Sequence, residues 1–209
     1  MNLINPKDAQ APGSLRTATL PEDLGVFREP DCAAMLWQQE PPEGLTDWLD
    51  RLPPDQLPRW RETLAYDAVE EAVLEACAEA GTPEGPERHA LIETVQALAN
   101  TSAEVFNAEF LNFRLEVINS NACRKFHIDA VESRVVCTLR GTGTQYGYAQ
   151  NGADPDVIET TPRLCSIFLR GSLWPAIPDP HFVHRSPPIQ GTGEHRLVVV
   201  FDAAREEAD

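Results

Sequence analysis

Basic residues are scarce in this chain. Lysine and arginine number 17 against 33 acidic residues, a formal net charge of −16 over 209 residues. There is no basic run; the positive side chains are scattered, with one loose cluster at Arg124, Lys125, Arg134 and Arg140. Such a chain repels a bare phosphate backbone, so nucleic acid is not expected as a ligand. Long apolar runs are lacking too. No window approaches the roughly 18 residues read as a membrane span, and the opening MNLINPKDAQAPGS has no secretory-type apolar stretch. The five cysteines (Cys32, Cys77, Cys123, Cys137 and Cys165) are odd in number and form no CxxC pair. Reduced thiols in a cytoplasmic protein are the expectation. Internal repeats are absent. What is present suits one sizeable core: 42% hydrophobic residues, with 18 prolines that imply many loops and strand edges.

The chain changes texture along its length. Residues 1–24 show no periodicity and are expected to form a flexible arm. Residues 26–37 suggest a short strand leading into a helical piece, and proline-punctuated short helices such as 45–52 follow. Two stronger helices are expected. Over 66–80, Val69, Ala72, Val73 and Ala76 fall at helical spacing, and Gly81-Thr-Pro ends the pattern. Over 86–110, Leu91, Val95, Leu98, Val105, Phe106 and Phe110 lie along one stripe, with a break expected near Asn100 where Thr101 or Ser102 caps a new helix. Beyond 110 the period becomes two. Phe113-Arg-Leu-Glu-Val-Ile, Ser133-Arg-Val-Val-Cys-Thr-Leu-Arg, Leu164-Cys-Ser-Ile-Phe-Leu, Phe182-Val-His and Arg196-Leu-Val-Val-Val-Phe read as strands between Gly and Pro turns. The fold class is α+β: a single domain over 25–209, with a helical part at about 25–110 packed on a β-sandwich at about 111–203.

Three positions carry the chemistry. In His127-Ile-Asp129, residues i and i+2 of a strand share a face, so an imidazole and a carboxylate project together. The plain alternative is an exposed turn capped by the aspartate. His184, 57 residues later on another strand, would complete a two-histidine, one-carboxylate face with open positions, which suits non-haem Fe(II); otherwise it is a hydrogen-bonded core histidine. Arg196 opens the last apolar strand and shares a face with Val198 and Val200. An inward guanidinium is costly unless paired, and a dicarboxylate cosubstrate would pair it bidentately. The alternatives are a solvated strand end or a protein carboxylate partner.

The order His-x-Asp, distal His, then a basic residue on the final strand resembles the Fe(II)/2-oxoglutarate oxygenase superfamily over about residues 111–203. The resemblance implies a double-stranded β-helix, or jelly-roll-like sandwich, with catalytic metal ligands His127, Asp129 and His184 and cosubstrate contacts from Arg196 and Tyr146. Cys123-Arg-Lys-Phe-His-Ile-Asp129, Cys137-Thr-Leu-Arg-Gly-Thr-Gly-Thr144, His184-Arg-Ser-Pro-Pro188 and Arg196-Leu-Val-Val-Val also resemble the DUF1826 family of uncharacterised bacterial proteins. This second resemblance implies no established activity, and a link to metal homeostasis. Leu139 and Gln145-Tyr146 depart from it, standing where a tyrosine and an acidic-Trp pair are expected.

Two functions compete. One is a non-haem oxygenase using Fe(II) and 2-oxoglutarate on an unidentified small-molecule or protein substrate. The other is a non-enzymatic binder of Zn(II) or another divalent ion, with Cys123 as a candidate fourth ligand. A metal-free sandwich acting by protein contact stands behind both. Tyr148 and Arg140 are secondary candidates, and His181 and His195 are expected to be bystanders.

Overall fold

In a computed structural model the structure describes residues 13–149, 153–175 and 181–205. Ten strands and three α-helices follow in the order β1 (Ser14–Ala18), β2 (Cys32–Trp37), α1 (Leu45–Arg51), β3 (Trp60–Ala65), α2 (Val69–Glu79), α3 (Pro86–Phe106), β4 (Phe110–Ile118), β5 (Ser133–Arg140), β6 (Gln145–Tyr148), β7 (Glu159–Thr160), β8 (Ser166–Arg170), β9 (Phe182–Arg185) and β10 (Arg196–Ala204). A seven-stranded sheet has the order β1-β2-β8-β5-β10-β4-β3, and a three-stranded sheet the order β7-β6-β9.

The helices form where apolar spacing and end signals agree. α2 buries Val69, Ala72, Val73, Ala76 and Cys77 on one stripe. α3 starts with proline in its first turn and ends at Asn107 in the left-handed conformation, whose N–H bonds back to Ala103 and Glu104 carbonyls. The expected break near Asn100 does not occur: Ser102 donates to the Leu98 carbonyl within an unbroken helix and caps nothing. Both helices cover one face of the large sheet, where Phe113, Leu115, Val135, Cys137, Phe168, Leu197, Val199 and Phe201 join them in the main core.

The other face of the large sheet meets the small sheet. Tyr146 and Phe182 pack there on Leu36, Val136, Ile167, Leu169, Val198 and Val200. Two facing sheets with helices outside one of them is the double-stranded β-helix architecture.

Three expectations are corrected. The arm does not run to residue 24, because Ser14–Ala18 pairs in parallel with β2 and Leu24 is fully buried; residues 1–12 lie outside the described residues. Segment 26–37 is reversed, with a 3₁₀ turn over Pro21–Arg28 preceding a strand. The sandwich is not confined to 111–203, since β1, β2 and β3 belong to its large sheet. Among the described residues, no helix is long and apolar enough to cross a membrane.

Candidate metal and cosubstrate site

His127 and His184 are brought together by backbone pairing. They form an isolated antiparallel bridge, each N–H donating to the other's carbonyl at 3.1 Å. Their rings lie 4.6 Å apart between centroids. Asp129 does not sit on a strand with His127, as the sequence suggests; it lies in the loop that follows. That loop is stitched to the chain after β8: Ser172 N–H donates to the Asp129 carbonyl at 2.8 Å, and Gly171 N–H to Glu132 at 2.9 Å. The approach is so close that a Cβ on Gly171 would stand 1.9 Å from the Val131 carbonyl oxygen. Glycine there lets the loop seat Asp129 against the histidines.

One ligand atom from each of His127, Asp129 and His184 lies within 4.8 Å of the others. His127 Nε2 is 3.3 Å from Asp129 Oδ1, and His184 Nε2 is 2.9 Å from Oδ2. His127 Nδ1 lies 2.9 Å from the Lys125 carbonyl. A carbonyl only accepts, so Nδ1 carries the proton and Nε2 presents its lone pair. Asp129 Oδ2 is buried with no donor aligned on it, although His184 Nε2 is close. A buried carboxylate oxygen with no aligned donor, set between two imidazole nitrogens, is what a divalent ion would relieve, so the donor set fits Fe(II) or Zn(II).

The electrostatics agree. Burial opposes ionisation of Asp129, but His127, His184 and Arg134 outweigh it and hold the carboxyl well below its usual range. Burial pushes the His184 imidazole down, towards the neutral form that binds metal. The contact with Asp129 raises His127.

Arg134 and Asp202 escaped the sequence reading. Arg134 Nη1 is 2.5 Å from Asp129 Oδ1, while its Nε and Nη2 donate to the two oxygens of Asp202 at 2.5 and 2.8 Å. The pair spans 68 residues, and only the register that sets Asp202 opposite Arg134 reveals it. The available signal was the alternation Arg134, Val136, Thr138 along β5. Arg134 occupies Asp129 Oδ1, the oxygen beside His127, and leaves Oδ2 turned to His184.

A cavity of about 90 Å³ is lined by His127 and His184 and by Val136, Arg196, Val198 and Val200. Arg196 is 1% exposed. Its Nε donates to the Thr142 carbonyl at 2.6 Å and its Nη2 to Thr138 Oγ1 at 3.2 Å; among the described residues no carboxylate forms an ion pair with it. Burial lowers its guanidinium to about 10. Gly141 makes room for this side chain: its φ is +83°, and a Cβ would meet Arg196 Cγ at 2.9 Å.

Other candidates fall away. Tyr146 does not line the cavity; its hydroxyl donates to Glu159 Oε2 at 3.0 Å and its ring stacks on Phe182. Tyr148 accepts from the Leu15 N–H, and Arg140 donates to the Leu52 carbonyl. Cys123 lines the cavity but is not in the group of converging ligands. His195 lies against the Gly193 carbonyl.

The fold recurs in solved structures at low identity. The dioxygenase for auxin oxidation 1 from Arabidopsis thaliana, in binary complex with 2-oxoglutarate, aligns over 94% of this chain and 95% of its own with 11% identity and a TM-score of 0.54. The dioxygenase for auxin oxidation in rice aligns over 93% and 84% with 13% identity and a TM-score of 0.51. A search of the curated proteins gave no match. A family model described as "Protein of unknown function (DUF1826)" matches residues 18–202, and the chain belongs to that family.

Proposed function

We propose that the protein is a non-haem Fe(II)/2-oxoglutarate-dependent oxygenase. The observation that carries the reading is Arg196, a buried guanidinium without a carboxylate partner among the described residues, lining the same cavity as the two histidines that converge with Asp129. His127, Asp129 and His184 would hold the metal, and Arg196 would take the distal carboxylate of 2-oxoglutarate. Val136, Val198 and Val200 give an apolar floor for the intervening methylenes. Fe(II) and 2-oxoglutarate supply the oxidising chemistry when bound. The chain contributes the rest. The Lys125 carbonyl fixes the His127 tautomer, Arg134 orients Asp129, and the two sheets exclude water around the cosubstrate.

Anaerobic addition of Fe(II) and then 2-oxoglutarate tests this. A visible charge-transfer band, and succinate production on admitting O₂, are expected; a protein that gives neither overturns the reading. The same three residues suit Zn(II), and Cys123 on the cavity wall favours that second reading. It is the better one if Zn(II) binds tightly and raises the melting temperature while Fe(II) with 2-oxoglutarate gives no band.

A further inference from the structure

The floor of the site extends beyond its roof. The apolar layer between the sheets draws on β2, β5, β8 and β10 but takes nothing from β3 and only Ile118 from β4. Past Ile118, the site face of β4 carries Glu116 and Arg114, which both line the cavity. β3 pairs with β4 so that Arg61 lies directly opposite Arg114. Like charges facing each other across an antiparallel pair are destabilising, and in a chain of net charge −16 the pairing is conspicuous.

The surrounding acids do not account for Arg114. Glu116 is engaged by Arg61 at 2.6 Å. Asp202 accepts from Arg114 Nη2 at 3.1 Å, but it already takes the shorter pair of bonds from Arg134. Arg114 Nε is buried with no hydrogen-bond partner. A buried donor without an acceptor is costly, and an under-satisfied guanidinium on a cavity wall points to a ligand. Apart from Arg196, already assigned to the cosubstrate, the other cavity arginines differ. Arg134 is saturated by Asp129 and Asp202. Arg185 is held by Gln145 Oε1 and lies over the Phe126 ring.

We propose that Arg114 anchors an anionic group of the substrate, so that the substrate class is a small organic acid bearing a carboxylate or phosphoryl group. The proposal rests on the oxygenase reading and adds a second anion site to it. Arg114 pairs opposite Val200 and Ile118 opposite Arg196, so the two arginines sit four residues apart along the strands, about 13 Å. One anion at Arg196 and another at Arg114 would therefore not compete.

Calorimetric titration tests it on protein loaded with Zn(II) and 2-oxoglutarate, with benzoate, phenylphosphonate and neutral benzamide as probes. At least one acid should bind about tenfold tighter than benzamide, and which one distinguishes a carboxylate from a phosphoryl ligand. Arg114→Gln should erase the preference and Arg114→Lys retain part of it, with the visible band of the Fe(II)/2-oxoglutarate complex unchanged in both. Melting temperatures show whether each variant is folded. Wild type that binds benzamide as tightly as both acids overturns the proposal whatever the variants do, as does a preference that survives Arg114→Gln. Failure of the oxygenase reading is seen separately, as absence of the band in wild type. The acid preference is then read on Zn(II)-loaded protein without 2-oxoglutarate, where it should survive Arg196→Gln and vanish in Arg114→Gln.

Discussion

The two faces of the seven-stranded sheet are built from alternate residues of the same strands, yet they have opposite character. On β10, Leu197, Val199 and Phe201 enter the core under the helices, while Arg196, Val198, Val200 and Asp202 face the site. β5 repeats the division with Val135, Cys137 and Leu139 against Arg134, Val136 and Thr138, and β4 with Phe113 and Leu115 against Arg114 and Glu116. Except at its edge, where the buried Arg170 lies over the Phe27 and Trp174 rings and donates to the Phe27 and Glu29 carbonyls, the helix-side cluster is apolar. Burial there pushes the Cys137 thiol up to about 12, so it stays protonated and chemically quiet. The opposite face keeps buried charges that cost stability unless something binds them. One register of a period-two pattern thus holds the fold and the other holds the chemistry, and the two should be separable by mutation.

The largest effect is expected on the helix side. Phe201 and Phe113 stack with ring centroids 5.0 Å apart, both fully buried. Phe201→Ala should lower unfolding free energy by about 3–5 kcal/mol in denaturant titration, with metal affinity of the folded protein changed less than about twofold, since the ring lies on the helix side of the sheet. A large loss of metal affinity would show that the faces are not independent. Asp129→Ala is the reciprocal experiment. Fe(II) or Zn(II) affinity should fall by more than about 100-fold and succinate production should stop. Arg134 keeps Asp202, so the melting temperature of the metal-free protein should stay within a few degrees of wild type. A loss of stability that appears only with zinc present would favour the structural-zinc reading.

What could be read from the sequence follows the same division. β4 was legible by its alternation and β10 by its run of β-branched valines, as was the apolar stripe of α2. β2 was not, because all six of its residues are buried; with both faces covered, Cys-Ala-Ala-Met-Leu-Trp has no alternation and resembles a helix. β3 was missed for the opposite reason: Arg61, Glu62 and Thr63 are exposed on an edge strand that reads as a loop. At the site, spacing named His127, Asp129, His184 and Arg196, but for Asp129 by the wrong route, since strand parity does not place it. Arg134, Asp202 and Arg114 could not be found without the pairing register, because each acquires its role from a neighbour on another strand.

Arg196→Met tests whether the site face trades stability for binding. Burial lowers this guanidinium from its usual 12.5 to about 10, so the native state sheds its proton at lower pH than the unfolded chain. The unfolded state therefore binds more protons between these values, and stability should rise with pH across that window; below it the full cost of the buried charge is present. Replacing the charge with a side chain of similar length should leave the ligand-free melting temperature unchanged or higher, while 2-oxoglutarate binds roughly 10–100-fold more weakly. Metal affinity should be unaffected. Equal losses of metal and cosubstrate affinity would make Arg196 a structural residue.

The smallest effect is expected at Tyr146, which sits in the same layer as the site but uses its hydroxyl elsewhere. That hydroxyl donates to Glu159, and burial followed by the Glu159 contact raises the phenol from 10.0 to about 12. A raised folded value means that the native state keeps its proton where the unfolded chain has lost it. The contribution is complete below pH 10 and disappears as the pH climbs through about 12. Tyr146→Phe removes one hydrogen bond and preserves the stacking on Phe182 at 5.6 Å, so it should cost about 1 kcal/mol at neutral pH. In denaturant titrations of both proteins, the gap should shrink as the pH is raised through that range, and 2-oxoglutarate affinity should be the same at every pH. A loss of cosubstrate affinity in Tyr146→Phe would mean that the ring turns into the cavity on binding, and would put this tyrosine among the residues of the site.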